Sequence, residues 1–332
     1  GSGTSTPVVW DPYIFITADD KSSNKVKAFA LDAETGRILW KTDLGDNRTV
    51  ANIYDMTAPS PVTDGSYVWF MTGSGDLAAF TMDGQSIWHR NLAKDYGDFA
   101  LCFGYSSSPL LHEGVLYIPV MQNEKPGAYG LNKDRTEPLD SFLLAVDAQT
   151  GKTLWKHVRD TDAEDASREA YITPYPMEWN GRREIIIPAG ECITGHDPAT
   201  GAELWRWWFT PPDRQTKTQH NVPTPVAKDG LIFVIRPERR PLFAIRAGGN
   251  GLMDNGILVW TYEENHCWIA SPVLYRDRLY VPQEQEKAMV CLEPETGRII
   301  WQHDLPLKDV FQASPTAADG KIYCISMKGE VV

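Results

Sequence analysis

Six residues have the chemistry to hold a ligand: Tyr54, Tyr105, Tyr171, His220, Trp268 and Phe311. Each lies a short way ahead of a proline. Rings of this kind could stack on a planar or sugar-like ligand, or anchor a peptide, because each brings a large rigid apolar face. The alternative is that they only pack loops together. His266 stands two positions before Trp268 and could approach His220, but two imidazoles without a third donor make no metal-ligand set. Arg236 opens a charged stretch with Glu238, Arg239 and Arg240, and Glu284 and Glu286 form another. Charged turns of this sort are ordinarily solvated, and Arg236 is kept as a candidate ligand contact. No catalytic constellation is present. There is no Gly-x-Ser-x-Gly elbow and no Gly-x-x-x-x-Gly-Lys loop, and the glycine-rich stretch 73–80 sits in a strand turn, not ahead of a helix.

What would position these residues is a repeat. "LDAETGRILW", "VDAQTGKTLW", "HDPATGAELW" and "LEPETGRIIW" are near-copies. A Gly-x-x-x-Trp spacing occurs six times, at Gly36 and Trp40, Gly84 and Trp88, Gly151 and Trp155, Gly201 and Trp205, Gly256 and Trp260, and Gly297 and Trp301. A second series runs in phase with it. Pro7, Pro61, Pro109, Pro176, Pro225, Pro272 and Pro315 each open a strand-like segment, at intervals of 43 to 67 residues. Such a period is the sequence form of a propeller or a solenoid. Within each unit the first two strands flank Asp64-Gly65, Asn180-Gly181, Asp229-Gly230, Asp319-Gly320 or a stand-in. The aspartate of the quoted motif ends strand three and can bond the turn's N–H groups. The glycine is expected in the left-handed region, and the tryptophan falls on a fixed face of strand four. There its indole can pack over its own blade and the next, worth about 3 kcal/mol, if its N–H finds an acceptor.

These signals predict an all-β, seven-bladed β-propeller of four-stranded blades in a single domain, 1–332. The blades start near 6, 60, 108, 173, 224, 271 and 314. The last unit stops after about two strands, and a longer parent could hold eight blades. Trp 12, Tyr 13, Phe 11, Gly 26 and Pro 23 suit many short strands and turns. A net charge of −12 argues against a nucleic-acid partner, and no run of about 18 apolar residues spans a membrane. Cys102, Cys192, Cys267, Cys291 and Cys324 are spaced as neither a zinc site nor a dithiol. The opening Gly1-Ser2-Gly3 has the composition of an expression remnant, so the lack of a leader there says nothing of location.

The unit Ala/Val-x-Asp-x-x-Thr-Gly-x-x-x-Trp resembles the tryptophan-docking repeat of the pyrroloquinoline-quinone-like propeller family, over essentially the whole chain. That family holds quinoprotein dehydrogenases and short-looped non-enzymatic propellers, the outer-membrane assembly lipoprotein type among them. The likeness is to the second kind. It implies a non-catalytic, exported scaffold, periplasmic or secreted and monomeric. A lipid anchor could lie upstream, and the partner would be protein or glycan. The enzyme branch would instead imply pyrroloquinoline quinone over the channel and calcium held by Glu, Asn and Asp. It would also imply a vicinal Cys-Cys disulfide and an aspartate base. This chain has no Cys-Cys pair, and Glu191, Glu264 and Asn265, the acids and amide at hand, are scattered. No cofactor is therefore expected. Quinone with calcium and a carbohydrate-binding propeller are the alternatives. The insert at 121–140, the longest departure from the repeat, is a candidate docking loop.

Overall fold

A computed structural model describes residues 2–48, 56–125, 135–214, 217–237, 241–264 and 267–332. Strands dominate because the apolar runs are short, β-branched and aromatic, and each is closed by a turn. Blade 1 is β1 (Val8–Trp10), β2 (Tyr13–Asp20), β3 (Lys25–Asp32) and β4 (Ile38–Asp46); blade 2 is β5 (Val62–Thr63), β6 (Tyr67–Met71), β7 (Asp76–Thr81) and β8 (Ser86–Asn91). A short helix, α1 (Leu92–Tyr96), follows. Blade 3 is β9 (Leu110–His112), β10 (Val115–Val120), β11 (Phe142–Asp147) and β12 (Thr153–Val158); blade 4 is β13 (Tyr175–Trp179), β14 (Arg182–Ala189), β15 (Cys192–His196) and β16 (Glu203–Trp208). Blade 5 is β17 (Val226–Lys228), β18 (Leu231–Ile235), β19 (Leu242–Arg246) and β21 (Leu258–Tyr262), with β20 (Gly251–Met253) inserted before its last strand. Blade 6 is β22 (Val273–Tyr275), β23 (Arg278–Gln283), β24 (Ala288–Leu292) and β25 (Ile299–Asp304), and β26 (Thr316–Ala318) with β27 (Lys321–Tyr323) form a two-stranded seventh sheet. Each blade is an antiparallel meander in chain order, the architecture of a β-propeller. The chain falls into two compact units, Gly1–Pro174 and Tyr175–Val332.

The hairpins between first and second strands carry the expected turn chemistry. Asn180, Asp229 and Asp319 have φ of 51°, 48° and 47°, each followed by a positive-φ glycine. Glu113-Gly114 and Arg276-Asp277 stand in for the Asx-Gly pair elsewhere. The middle strands of blade 1 alternate buried and half-buried positions, while those of blades 2 and 3 are almost wholly buried, Val68 to Met71 and Leu143 to Val146 among them. Each unit thus has its own core between successive blades.

The repeated turn is built alike each time. Thr35 donates its N–H (2.8 Å) and hydroxyl (2.6 Å) to Asp32, and Gly36 N–H returns to the Asp32 carbonyl. Thr150 does the same to Asp147, and Thr200 to Asp197. The threonine hydroxyls hold Asp32, Asp147 and Glu293 below the ordinary carboxylate value. The turns therefore favour the fold above the unfolded carboxylate pKa and lose that contribution as pH falls through the lowered one.

Within each unit, the turn glycines Gly84, Gly151 and Gly297 receive the tryptophan of the preceding blade. Trp88 gives its indole N–H to the Ala148 carbonyl at 2.9 Å, and a Cβ on Gly151 (φ +70°) would lie 2.7 Å from its ring. Trp40 binds the Met82 carbonyl over Gly84, and Trp260 binds the Pro294 carbonyl over Gly297, both at 2.9 Å. Every repeat tryptophan faces a small residue across the ladder, beside a bulge. The facing residues are Ala30, Ala79, Ala145, Gly195, Ala244 and Cys291.

Blade 4 and blade 5 depart from the pattern. Gly256, counted among the turn glycines, lies instead in a short 3-10 turn at Asn255–Ile257, capped by Asp254. The connection ahead of β21 is expanded, and it sends β20 back to pair in parallel with β16. Trp205 is accordingly only 1% exposed, and its indole N–H goes to Glu184 in its own blade at 2.6 Å.

Gly151→Ala and Gly114→Ala both place a side chain at positive φ, but Gly114 has open space around it. Gly151→Ala should cost about 1–3 kcal/mol more than Gly114→Ala, the overpacking against Trp88, as read from urea unfolding of the two variants.

Candidate functional site

The connections from each fourth strand to the next blade carry the aromatic candidates, and the structure sorts them into two kinds. Tyr105 is 2% exposed, its ring centroid 4.8 Å from that of Phe99 and its hydroxyl donating to the Pro119 carbonyl at 3.1 Å. Burial pushes its pKa far up. Phe311 is 0% exposed. Neither ring has a face for a ligand, because each is buried. Tyr171 is also engaged. Its hydroxyl donates to Glu169 at 2.7 Å and accepts from the Phe103 N–H, and burial together with the Glu169 charge raises its pKa. His220 and Arg236 are half-buried, with the Arg236 N–H bonded to the Pro241 carbonyl. Trp268 keeps 37% of its surface exposed. Tyr54, His266, Asn265, Glu238, Arg239, Arg240 and 126–134 of the insert lie outside the described residues.

Two buried glutamates set these loops. Glu169, fully buried, accepts from the Cys102 N–H at 2.8 Å as well as from Tyr171. Glu284, read from the sequence as part of a solvated charged turn, is fully buried. Its Oε1 accepts the N–H groups of Trp268 (3.1 Å), Ile269 (2.5 Å) and Ala270 (2.5 Å). Three successive amides converge on one oxygen, which satisfies donors that a loop under a blade would otherwise leave buried and unpaired. The Cys267 thiol donates to the Ala270 carbonyl, and burial drives its pKa well up, away from nucleophilic use.

The outcome is the same in both units: a Cys-aromatic pair whose cysteine end is pinned from within and whose ring faces out. In unit 2 it is Cys267-Trp268. In unit 1 it is Cys102-Phe103, with Phe103 40% exposed and its ring 6.0 Å from that of Tyr171. Phe103 was not among the sequence candidates. The signal was there, a second Cys-aromatic dipeptide in the matching loop.

Unit 1 also has a polar cleft of about 370 Å³, where Lys25, Asp46, Arg48, Asp76, His89 and Lys94 meet. Its charges are largely spent on one another. Arg48 forks onto Asp98 at 2.5 and 3.1 Å, and Lys25 pairs with Asp46 at 2.5 Å. Asp76 accepts from Asn91 at 3.0 Å and lies 3.2 Å from His89.

The family description "Outer membrane protein assembly factor BamB" matches residues 1–137, 107–253 and 252–332. The chain belongs to this family. Outer membrane protein assembly factor BamB of Yersinia pestis is 23% identical over 366 aligned positions, covering 97% of this chain and 82% of that protein. Polyvinylalcohol dehydrogenase of Pseudomonas sp is 27% identical over 162 positions, covering 47% of this chain but 23% of that enzyme. Among solved structures, BamB from Moraxella catarrhalis superposes with a TM-score of 0.61 at 16% identity, covering 99% of this chain and 81% of that one. A europium-containing methanol dehydrogenase superposes at 0.65 and 13%, covering 98% and 71%. At these identities the superpositions establish the propeller fold that both kinds of protein share.

The described residues do not fit the calcium of the dehydrogenase branch. Calcium needs about six to eight hard oxygens. Glu169, Glu184 and Oε1 of Glu284 accept from protein donors, which leaves Oε2 of Glu284 as the one oxygen of Glu284 without a protein donor. Glu191 is buried in the turn before β15, while Glu264 is exposed after β21. Among the described residues no three His, Cys, Asp or Glu side chains converge on a point. Among them, too, no helix is long and apolar enough to cross a membrane.

Glu284→Ala leaves three amides without their acceptor and should lower stability by about 2–4 kcal/mol, with Glu284→Gln costing less; chemical denaturation of both variants measures this. The raised pKa of Tyr105 makes the fold lose stability as pH climbs above the ordinary tyrosine value of 10.0. Tyr105→Phe should accordingly move the alkaline unfolding midpoint upward, followed by circular dichroism from pH 9 to 12.

Proposed function

We propose that the chain is a non-catalytic propeller scaffold of the bacterial envelope that binds protein, acting as a monomer on the periplasmic side or outside the cell. One observation carries the reading. Two buried carboxylates, Glu169 and Glu284, are turned toward backbone amides, and they hold loops that present Phe103 and Trp268. An exposed ring on a rigidly pinned loop is suited to anchoring a partner, since little conformational entropy is lost on docking. The relatives named as outer membrane protein assembly factors point to proteins engaged in that assembly as the partner class. A lipid anchor ahead of residue 1 would suit this setting.

Two arms test the reading. Titrating the chain calorimetrically with pyrroloquinoline quinone, with and without calcium, should give no heat. Micromolar calcium-dependent binding at one site per chain would overturn it in favour of a quinoprotein. A photo-crosslinking residue placed at 103 or 268 in the source bacterium should give discrete adducts with outer-membrane assembly proteins. Adducts at neither position would remove the support for protein binding by these loops.

A further inference from the structure

Unit 1 has a second polar cleft, of about 410 Å³, where the end of α1 meets β12 and the residues that lead into β11. In the first cleft Lys25 and Arg48 are paired to carboxylates. In the second, Arg135 and Lys156 line the space, and among the described residues neither has a carboxylate partner. Two acids share the lining, and neither is engaged with these cations. Asp95 takes Nε and Nη2 of Arg90 at 3.0 and 2.6 Å. Asp140 is exposed, and its backbone carbonyl accepts from the Gln122 amide at 2.8 Å.

Both cations are held in place without an acid. Arg135 donates its Nε–H to the Glu137 carbonyl at 3.3 Å, and its guanidinium lies against the backbone of Gly97, at the end of α1. A Cβ on Gly97 would run into Nη1, so this close approach needs the glycine. Nη1 and Nη2 find no protein acceptor among the described residues, which leaves the guanidinium fork open. The Lys156 ammonium stands over two rings, 4.6 Å from the Phe142 centroid and 5.3 Å from that of Tyr96. Both rings are anchored in turn. Phe142 is buried in the core of unit 1, and the Tyr96 hydroxyl lies 3.0 Å from Thr153 Oγ1. Gln122, also buried, braces the wall by accepting the Ala100 N–H at 3.0 Å.

We infer that this cleft binds a phosphate monoester. Such a group carries about −1.5 to −2 charges at pH 7 and three acceptor oxygens, enough to answer a guanidinium fork and an ammonium together. A carboxylate brings one charge and two oxygens, and would leave one of the cations unanswered. The cleft is larger than a phosphate ion and falls in the range of small-ligand pockets, roughly 300–1,000 Å³, so it admits the organic part of the ester. In a chain of net charge −12, two braced cations left without acids form a local exception that an anionic ligand accounts for. The ester could be a soluble sugar phosphate or the headgroup of a lipid such as phosphatidic acid; the recognising chemistry is the same. The inference goes beyond the protein-binding reading and does not depend on it.

Calorimetric titration of the full chain with glucose 6-phosphate at low salt tests it, and should show saturable binding at one site per chain. Glucuronate, which keeps the sugar ring but carries a single charge, should bind about tenfold more weakly, and neutral glucose should give no heat. Arg135→Gln and Lys156→Gln should each weaken glucose 6-phosphate by about tenfold, while Lys156→Arg should retain it. Lys156→Gln also removes the contact with Phe142, so unfolding curves accompany the titrations. Arg135→Gln disturbs no ring contact and carries the test if Lys156→Gln unfolds early. Vesicles of phosphatidylcholine with and without phosphatidic acid then decide the source. Sedimentation with the phosphatidic acid vesicles, reversed by glucose 6-phosphate, assigns a lipid headgroup. Binding of glucose 6-phosphate without sedimentation assigns a soluble ester. No binding of glucose 6-phosphate, equal affinity for glucuronate, or unchanged affinity in both glutamine variants would overturn the proposal.

Discussion

Inside each unit, the contact on which the rest depends is an indole laid on a glycine. The glycine must be at positive φ to close the turn after the third strand, and it must lack a Cβ because the preceding blade's tryptophan occupies that space. The same turn offers a carbonyl to the indole N–H, so one motif answers the apolar and the polar demand of a large side chain together. A small residue faces each tryptophan across the ladder, beside a bulge, and leaves room for the ring. Within each unit, cohesion between successive blades is thereby written into the repeat itself.

The acidic groups serve the same end at the other connections. Glu284 and Glu169 sit where buried loop amides need an acceptor, and Glu184 takes the indole that the inserted strap displaces from the usual docking. These three carboxylates brace the fold. The loops they brace leave Phe103 and Trp268 exposed.

The blade plan was legible because it is local. Thr-Gly, Asx-Gly and the tryptophan spacing each specify a turn or a face within ten residues, while the proline series put blade starts near 6, 60, 108, 173, 224, 271 and 314, and the structure has first strands beginning at Val8, Val62, Leu110, Tyr175, Val226, Val273 and Thr316. The candidate site was far less legible because burial is a property of distant packing. Tyr105 and Trp268 stand at the same distance before their prolines, yet one ring fills a core and the other faces out. Glu284 looked like surface charge because nothing near it in sequence announces three amides waiting above it. Gly256 matched the spacing by chance, since the real departure was an insertion that lengthened the turn and created β20.

The central claim is that the tryptophan and the next blade's glycine act as one unit, and a double-mutant cycle tests it most directly. Trp88→Leu, Gly151→Ala and the double variant would be compared by equilibrium unfolding. The account predicts a coupling of about 1 kcal/mol or more, with Gly151→Ala costing in the Trp88→Leu background little beyond its backbone strain. Additive costs would contradict it, and would mean that the glycine answers to its turn alone.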